Sequence, residues 1–122
     1  MSNILIAEDE PRLAAFVEKG LRKNGFSTAI ARNGEQVLEM LHGGQFDLLL
    51  LDLGLPVKDG FAVLRELGDS EVLIPIIVVS AREEARKETL ECSNSVKDFV
   101  SKPFRFGDLL ARVQTHLPPT VA

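Results

Sequence analysis

The sequence predicts one α/β domain, a doubly wound five-stranded parallel sheet with five helices. Short apolar runs alternate with helix-like stretches five times along the 122 residues, and such alternation is typical of this fold class. The runs at 48–51 and 76–79 are continuously apolar, as parallel strands covered on both faces require. The length suits one domain and is too short for two independent cores.

The elements follow from where each apolar pattern starts and stops. Pro11 suits the first turn of the first helix, whose stripe includes Phe16, and Gly25 follows it as a cap. Asn33 can cap the second helix, which Gly43 ends. The strands are predicted at 4–7, 27–31, 46–51, 76–79 and 99–101. The helices are predicted at about 11–24, 60–67, 82–92 and 106–117, with the second helix lying between Asn33 and Gly43.

The fourth helix has the weakest apolar face. Only Ala85, Thr89 and Cys92 lie on it at helical spacing. We therefore expect marginal packing and a mobile element.

Composition excludes several classes of protein. Hydrophobic residues make up 45% and charged residues 26%, which is typical of a folded domain rather than a disordered one. The apolar runs are far shorter than the roughly 20 residues that span a bilayer, and no secretory signal is evident. Cys92 is the single cysteine, so an internal disulfide and a multi-cysteine zinc site are excluded. A reducing compartment fits, and the cytoplasm is the predicted location.

The formal net charge of −4 argues against direct binding of nucleic acid by this domain. Lysines and arginines are scattered along the chain and form no basic run.

Polar side chains follow four of the predicted strands. They are Glu8 and Asp9, Asp52, Ser80 and Lys102, and the carboxyl ends of parallel strands are where open α/β sheets bind ligands. Taken singly, each Asp is more often a cap, and a Ser or Lys is more often solvated. Their convergence on one edge favours a site.

Three carboxylates in one pocket repel one another unless a cation is present. Oxygen ligands with open positions suit Mg²⁺, which keeps several waters and accepts phosphate oxygens. An aspartate can also attack phosphorus to form an acyl phosphate, with positioning and charge neutralisation supplying most of the catalysis.

Four motifs, in this order, resemble the receiver domain of two-component response regulators over essentially the whole chain. They are Ile4-Leu5-Ile6-Ala7-Glu8-Asp9-Glu10, Leu50-Leu51-Asp52-Leu53-Gly54-Leu55-Pro56 with Asp59-Gly60, Val78-Val79-Ser80-Ala81, and Lys102-Pro103-Phe104. The resemblance implies the flavodoxin-like strand order 2-1-3-4-5. It also implies a phosphorylation-dependent switch.

The resemblance assigns the metal and phosphoryl residues. Asp52 matches the phosphoacceptor, which receives its phosphoryl group from a histidine kinase or phosphotransfer protein. Asp9 and Asp52 would bind Mg²⁺ directly, Glu8 through water, and Gly54 through its backbone carbonyl. Lys102 would pair with phosphoryl oxygens, and its bond to the following proline is cis in the family.

The resemblance also assigns the switch. Ser80 matches the hydroxyl that bonds the phosphoryl group, and Phe99 matches the aromatic residue that turns inward. A plain core aromatic is the alternative for Phe99. Because phenylalanine has no hydroxyl for an outward hydrogen bond, the inward state is favoured. Arg82, two residues after Ser80, could pair with the phosphoryl group and set its lifetime, or be solvated.

This receiver-like chain departs from the family before the fifth strand. Ser95 stands where relatives have glycine, and Lys97 replaces an acid, so the position of the fourth helix and its surface contacts are in doubt.

The stretch around Lys102 to Val113 resembles the subfamily with a winged-helix DNA-binding output domain. Those receivers dimerise through the fourth helix, fifth strand and fifth helix, and Lys87, Asp98, Asp108 and Arg112 are candidates for cross-subunit ion pairs. A solvated charged face is the alternative. Residues 1–117 would form the receiver, and 118–122 a tail or linker to an output domain that alone contacts DNA.

Two other functions remain possible. An aspartyl-nucleophile phosphatase of the haloacid-dehalogenase type needs an acid where Gly54 stands and a substrate cap. A pseudo-receiver that only binds a partner usually lacks the acceptor or the lysine, and both are present here.

Overall fold

The computed structural model describes residues 2–68 and 74–117. Its strands are β1 (Asn3–Ala7), β2 (Ser27–Ala31), β3 (Leu48–Asp52), β4 (Ile76–Ser80) and β5 (Val96–Ser101). Its α-helices are α1 (Pro11–Lys23), α2 (Gly34–Gly43), α3 (Gly60–Gly68), α4 (Arg86–Cys92) and α5 (Phe106–His116). Among these residues, no helix has the length and apolar character needed to cross a membrane.

The strands form one parallel sheet in the order β2-β1-β3-β4-β5, which confirms the predicted fold class and strand order. β1 lies between β2 and β3, with Ala7 opposite both Ala31 and Leu51. The chain leaves β1 towards β2 and then crosses back to β3. The order therefore reverses beside β1, and a crevice forms beyond the carboxyl ends of β1 and β3.

Apolar side chains cover both faces of the sheet. Alternate residues of β3 point to opposite sides, so Leu49 and Leu51 join the core under α2 and α3, while Leu48 and Leu50 join the core under α1 and α5. All five residues of β3 are buried. The strand that ends at Asp52 is therefore held by packing on both faces.

Two strand boundaries differ from prediction by more than one residue, and one predicted helix is interrupted. β3 begins at Leu48 rather than at residue 46, and β5 begins at Val96 rather than at Phe99. The start of β5 was not predicted because Lys97 and Asp98 are polar and interrupt the apolar pattern. β5 is an edge strand, and its pairing with β4 is irregular near Ile76.

The predicted helix at 82–92 is interrupted. A short 3-10 turn, Glu83–Ala85, precedes α4. Ala85 and Thr89 are buried as expected, but the prediction was wrong for Cys92, which is exposed near the end of α4. The mobility expected of α4 stays a prediction.

Phe16 was predicted to belong to the buried stripe of α1, yet 53% of its surface is exposed. Its ring meets Phe106 edge-on, with 5.9 Å between ring centroids. Phe106 in turn fills the space beside Gly20, where an added Cβ would lie 2.4 Å from the ring. Phe16 therefore packs at the outer α1–α5 seam rather than in the core.

Residues 118–122, predicted to form a tail or linker, lie outside the described residues.

Candidate functional site

The strand ends bring the predicted polar residues together. Glu8 and Asp9 follow β1, Asp52 and Ser80 end β3 and β4, and Lys102 follows β5. One carboxylate oxygen from each of Glu8, Asp9 and Asp52 lies within 4.8 Å of the other two. The acidic cluster predicted from the sequence therefore exists as a three-dimensional group.

Lys102 lies between two of these carboxylates. Its Nζ is 2.8 Å from Glu8 Oε1 and 3.3 Å from Asp52 Oδ2. Burial lowers the pKa of Lys102, but the hydrogen bond to Glu8 and the charges of Asp52 and Glu8 outweigh burial, so the pKa is raised. The ammonium group therefore remains protonated beside the phosphoacceptor candidate.

The peptide bond between Lys102 and Pro103 is cis, as predicted. The backbone N–H of Lys102 donates to the Ser80 carbonyl oxygen at 2.9 Å.

Glu8 is buried, with 5% of its surface exposed. Burial raises the pKa of its carboxyl group, and hydrogen bonds from Lys102 and the Glu10 N–H lower this pKa. The negative charge of Asp52 also raises it. Burial has the largest effect, so the pKa of Glu8 lies above its ordinary value. One ammonium group thus offsets part of the repulsion among three carboxylates. The exposed Asp9 leaves this cluster open to solvent on one side, so the donor set and its access both suit a hard divalent cation.

Asp52 is 9% exposed, and its two carboxylate oxygens have different partners. Oδ1 accepts from the Gly54 N–H at 3.1 Å, and Oδ2 faces Lys102. A Cβ at Gly54 would lie 3.8 Å from Asp52 Oδ1, and no other heavy atom of the described residues, apart from the two chain neighbours of Gly54, is within 4 Å of that position. The side of Asp52 next to Gly54 is therefore uncrowded.

The loop after Asp52 is anchored by features that sequence reasoning missed. Val57 has a φ of 68°, and the Lys58 N–H donates across it to the Pro56 carbonyl oxygen at 2.7 Å. The Lys58 carbonyl oxygen lies only 1.9 Å from where a Cβ on Gly34 would stand. Gly34 therefore lets the loop lie directly against the start of α2. In the sequence, the glycine directly after the cap residue Asn33 was the available signal of a close backbone approach. The residue that approaches, Lys58, is distant in sequence and could not be identified from it.

Ser80 and Phe99, the predicted switch residues, are both buried. Ser80 is 3% exposed, and its Oγ accepts from the Arg82 N–H at 3.0 Å, while the Arg82 side chain is exposed. Phe99 is 1% exposed and points inward, with the Arg86 guanidinium 4.8 Å from its ring centre. Sequence reasoning had assigned no role to Arg86.

The residues predicted for a dimer face lie on or near α4, β5 and α5. Asp98 accepts from Arg112 at 2.6 Å and lies 3.2 Å from His116 within the same chain. Lys87 and Asp108 are exposed. An Asp98–Arg112 pair between subunits would have to replace this internal one.

Residues 4–114 match the family described as the response regulator receiver domain. The chain belongs to this family. Its general function is a phosphorylation-dependent switch, and receiver domains are phosphorylated by histidine kinases.

Curated relatives of the receiver are transcriptional regulators. Transcriptional regulatory protein PcoR of Escherichia coli is 33% identical over 117 residues, which is 96% of this chain and 52% of PcoR. The uncharacterized transcriptional regulatory protein YkoG of Bacillus subtilis is 35% identical over 115 residues, or 94% of this chain and 50% of YkoG. The receiver thus spans about half the length of the curated relatives it matches.

A solved structure has the same fold. Response regulator TrrA from Thermotoga maritima, in complex with Mg²⁺-BeF, aligns with a TM-score of 0.86 and 29% identity, covering 96% of this chain and all of that chain.

Proposed function

We propose that this receiver accepts a phosphoryl group on Asp52 in a Mg²⁺-dependent reaction and thereby controls an output. One observation carries the proposal: the carboxylates of Glu8, Asp9 and Asp52 cluster within 4.8 Å, with the Lys102 ammonium 3.3 Å from Asp52. A nucleophile, a cation site and a fixed positive charge thus occupy one open edge of the sheet.

The donor set fits Mg²⁺. Asp9 and Asp52 are proposed as direct ligands, the buried Glu8 as a ligand through water, and Gly54 as a ligand through its carbonyl oxygen. When bound, Mg²⁺ supplies positive charge that offsets the charge on phosphoryl oxygens. The complex of TrrA with Mg²⁺-BeF supports this assignment.

The residues of the chain then have separate roles. An Asp52 carboxylate oxygen attacks phosphorus; an O–P bond forms while the P–N bond of a phosphohistidine donor, or the P–O bond of acetyl phosphate, breaks and its electron pair leaves with the donor. Lys102 pairs with a phosphoryl oxygen, and the Ser80 hydroxyl donates to another. When the group is lost by hydrolysis, a water oxygen bonds to phosphorus while the P–O bond to Asp52 breaks, which returns the carboxylate and releases inorganic phosphate. The uncrowded side at Gly54 leaves the water a path.

Intact mass after incubation with acetyl phosphate tests this proposal. The wild type should gain one phosphoryl group with Mg²⁺ and none without it, and Asp52→Asn should gain none. Asp47→Asn, which changes an exposed aspartate just before β3, is the matched control and should react like the wild type. A folded wild type that gains no mass in any condition would favour the pseudo-receiver alternative.

This chemistry makes the receiver a switch rather than an enzyme that turns over a separate substrate. Phosphorylation from small donors and spontaneous dephosphorylation are reactions of its own Asp52.

We further propose that residues 1–117 are the receiver and that 118–122 begin a linker to a transcriptional output domain. The transcriptional regulators PcoR and YkoG, each about twice as long as their matched part, support this. The donor would be a sensor histidine kinase or phosphotransfer protein, DNA would be bound through the output domain only, and the lone Cys92 fits a cytoplasmic location.

Phosphorylation is also proposed to promote a homodimer through α4, β5 and α5, with Lys87, Asp98, Asp108 and Arg112 at the interface. Sedimentation velocity before and after reaction with acetyl phosphate tests this. We expect a faster-sedimenting species only after reaction and a smaller shift for Lys87→Glu. An unchanged sedimentation coefficient would contradict the dimer.

A further inference from the structure

Arg86, the first residue of α4, contacts β5 at three points. Its guanidinium carbon lies 4.8 Å from the centre of the Phe99 ring, within the range of a cation–π interaction. One terminal nitrogen donates to the Phe99 carbonyl oxygen at 3.4 Å, and the other to the Ser101 hydroxyl at 3.2 Å. One planar group therefore covers the ring and bonds the strand that carries it.

The same arginine is held from the other side by Glu83 in the 3-10 turn. Arg86 Nε donates to Glu83 Oε1 at 2.6 Å, and the Ser101 hydroxyl donates to Glu83 Oε2. These hydrogen bonds from Arg86 and Ser101 lower the pKa of Glu83. The four residues Glu83, Arg86, Phe99 and Ser101, here called the Arg86 clasp, thus form a closed set of contacts.

Besides Ala85, which is buried just before α4, few buried side chains anchor this helix among the described residues. Thr89 is the one buried side chain among the described residues of α4, and its hydroxyl donates within its own helix, to the carbonyl oxygens of Ala85 and Arg86. Leu90 and Cys92 are exposed. Arg86 is therefore a principal connection between α4 and β5.

The clasp also lies close in sequence to the phosphoryl site. Ser80 ends β4, its Oγ accepts from the Arg82 N–H, and the 3-10 turn follows at once. Residues 81–85 thus join Ser80 directly to the clasp. A fixed clasp restricts the conformations of the segment that presents the switch hydroxyl.

We propose that Arg86 is a positioning residue of the switch, which holds Phe99 inward and residues 81–85 against β5 before a phosphoryl group arrives. The contacts use only groups of this chain, so they need no phosphoryl group. The inference rests on the proposed roles of Asp52 and Ser80. Without Arg86, residues 81–85 would have to become ordered during phosphoryl transfer. This requirement would slow the reaction.

Fluorine NMR of protein labelled with 4-fluorophenylalanine tests the proposal. The chain has seven phenylalanines, and the Phe99 signal is assigned by its loss in Phe99→Leu. With no phosphoryl donor present, Arg86→Ala should shift or broaden the Phe99 signal, and Arg86→Lys should restore it in part because lysine keeps the charge but lacks the planar fork. Lys19→Ala, which removes an exposed cation on α1, is the control and should leave the signal unchanged.

The rate of mass gain with Mg²⁺ and acetyl phosphate provides the second readout. Arg86→Ala should react roughly threefold to tenfold more slowly than the wild type, a change expected from one cation–π contact with its hydrogen bonds. An unchanged Phe99 signal in folded Arg86→Ala, or an equal change in Lys19→Ala, would overturn the proposal.

If circular dichroism shows that Arg86→Ala is unfolded, Glu83→Gln and Ser101→Ala replace it, because each removes part of the contacts of the clasp. Both variants should shift the Phe99 signal. An unchanged signal in both would equally overturn the proposal. A wild type that gains no phosphoryl group would refute the proposed function, whereas the Phe99 signal still decides the role of Arg86.

Discussion

β3 and α4 are held in opposite ways. Every residue of β3 is buried, whereas α4 buries Thr89 alone among its described residues. β3 ends at Asp52, which must keep a fixed distance from Lys102, and α4 belongs to the face proposed to respond. Packing on both sides fixes a backbone, whereas hydrogen bonds and ion pairs at a surface are exchanged at low cost. This contrast predicts a rigid site of chemistry beside a more adjustable face, the one proposed to respond.

The largest expected effect comes from the core of β3. Leu51 is 0% exposed, and Leu51→Ala should lower the free energy of unfolding by about 2–5 kcal/mol. Leu90→Ala on α4, where the side chain is 39% exposed, should cost less than about 1 kcal/mol. Urea unfolding measures both. Equal losses would remove the contrast between the two elements.

Gly34→Ala should disturb the loop that follows Asp52. Its Cβ would lie 1.9 Å from the Lys58 carbonyl oxygen, a backbone atom, so the loop must move. We expect a loss of about 1–3 kcal/mol in unfolding free energy and slower phosphorylation. Gly43→Ala in the same helix has open space around its Cβ and should be neutral or stabilising by up to about 1 kcal/mol. Similar urea midpoints for the two variants would show that Gly34 does not anchor the loop.

Arg82→Ala should shorten the half-life of the phosphorylated protein. The exposed guanidinium lies two residues after Ser80, where it can pair with a phosphoryl oxygen and hinder water. An exposed pair of this kind contributes about 0.6 kcal/mol, which corresponds to about a threefold change in rate. Loss of the mass adduct with time measures it, with Arg65→Ala on α3 as the control. An unchanged half-life would leave Arg82 as a solvated side chain.

An effect of similar small size is expected at Asp98 on β5. Burial raises its pKa, but hydrogen bonds from Arg112 and His116 outweigh burial and lower it. A lowered folded pKa contributes stability above the unfolded value of about 3.9, and this stability is lost as the pH falls through the folded pKa.

Asp98→Asn should therefore lose about 0.5–1 kcal/mol at pH 7, and the difference from the wild type should shrink below pH ~4. Urea unfolding across pH measures it, with Asp108→Asn on α5 as the control. A difference that does not depend on pH would contradict the assignment.

Sequence patterns predicted the sheet and the clustering of the candidate site residues because Glu8, Asp52 and Ser80 each directly follow an apolar run. Asp52 and Ser80 end continuous buried strands, so the fold itself brings them together. The anchoring of the loop after Asp52 by Gly34 could not be predicted, because Gly34 contacts the backbone of Lys58, which is distant in sequence.

The elements around α4 were predicted less well. The first part of the edge strand β5 was not predicted, because Lys97 and Asp98 are polar and interrupt its apolar pattern. Arg86 contacts Phe99 and Ser101, which are distant from it in sequence, and no local pattern encodes these contacts.

The central claim is that Asp52 carries the phosphoryl group, and reductive trapping tests it most directly. Borohydride reduces an aspartyl phosphate to homoserine, which tandem mass spectrometry of peptides locates by residue. After reaction with Mg²⁺ and acetyl phosphate, homoserine should appear at position 52 and at no other aspartate. Homoserine at Asp9 instead, or none in a protein that has gained a phosphoryl group, would contradict the account.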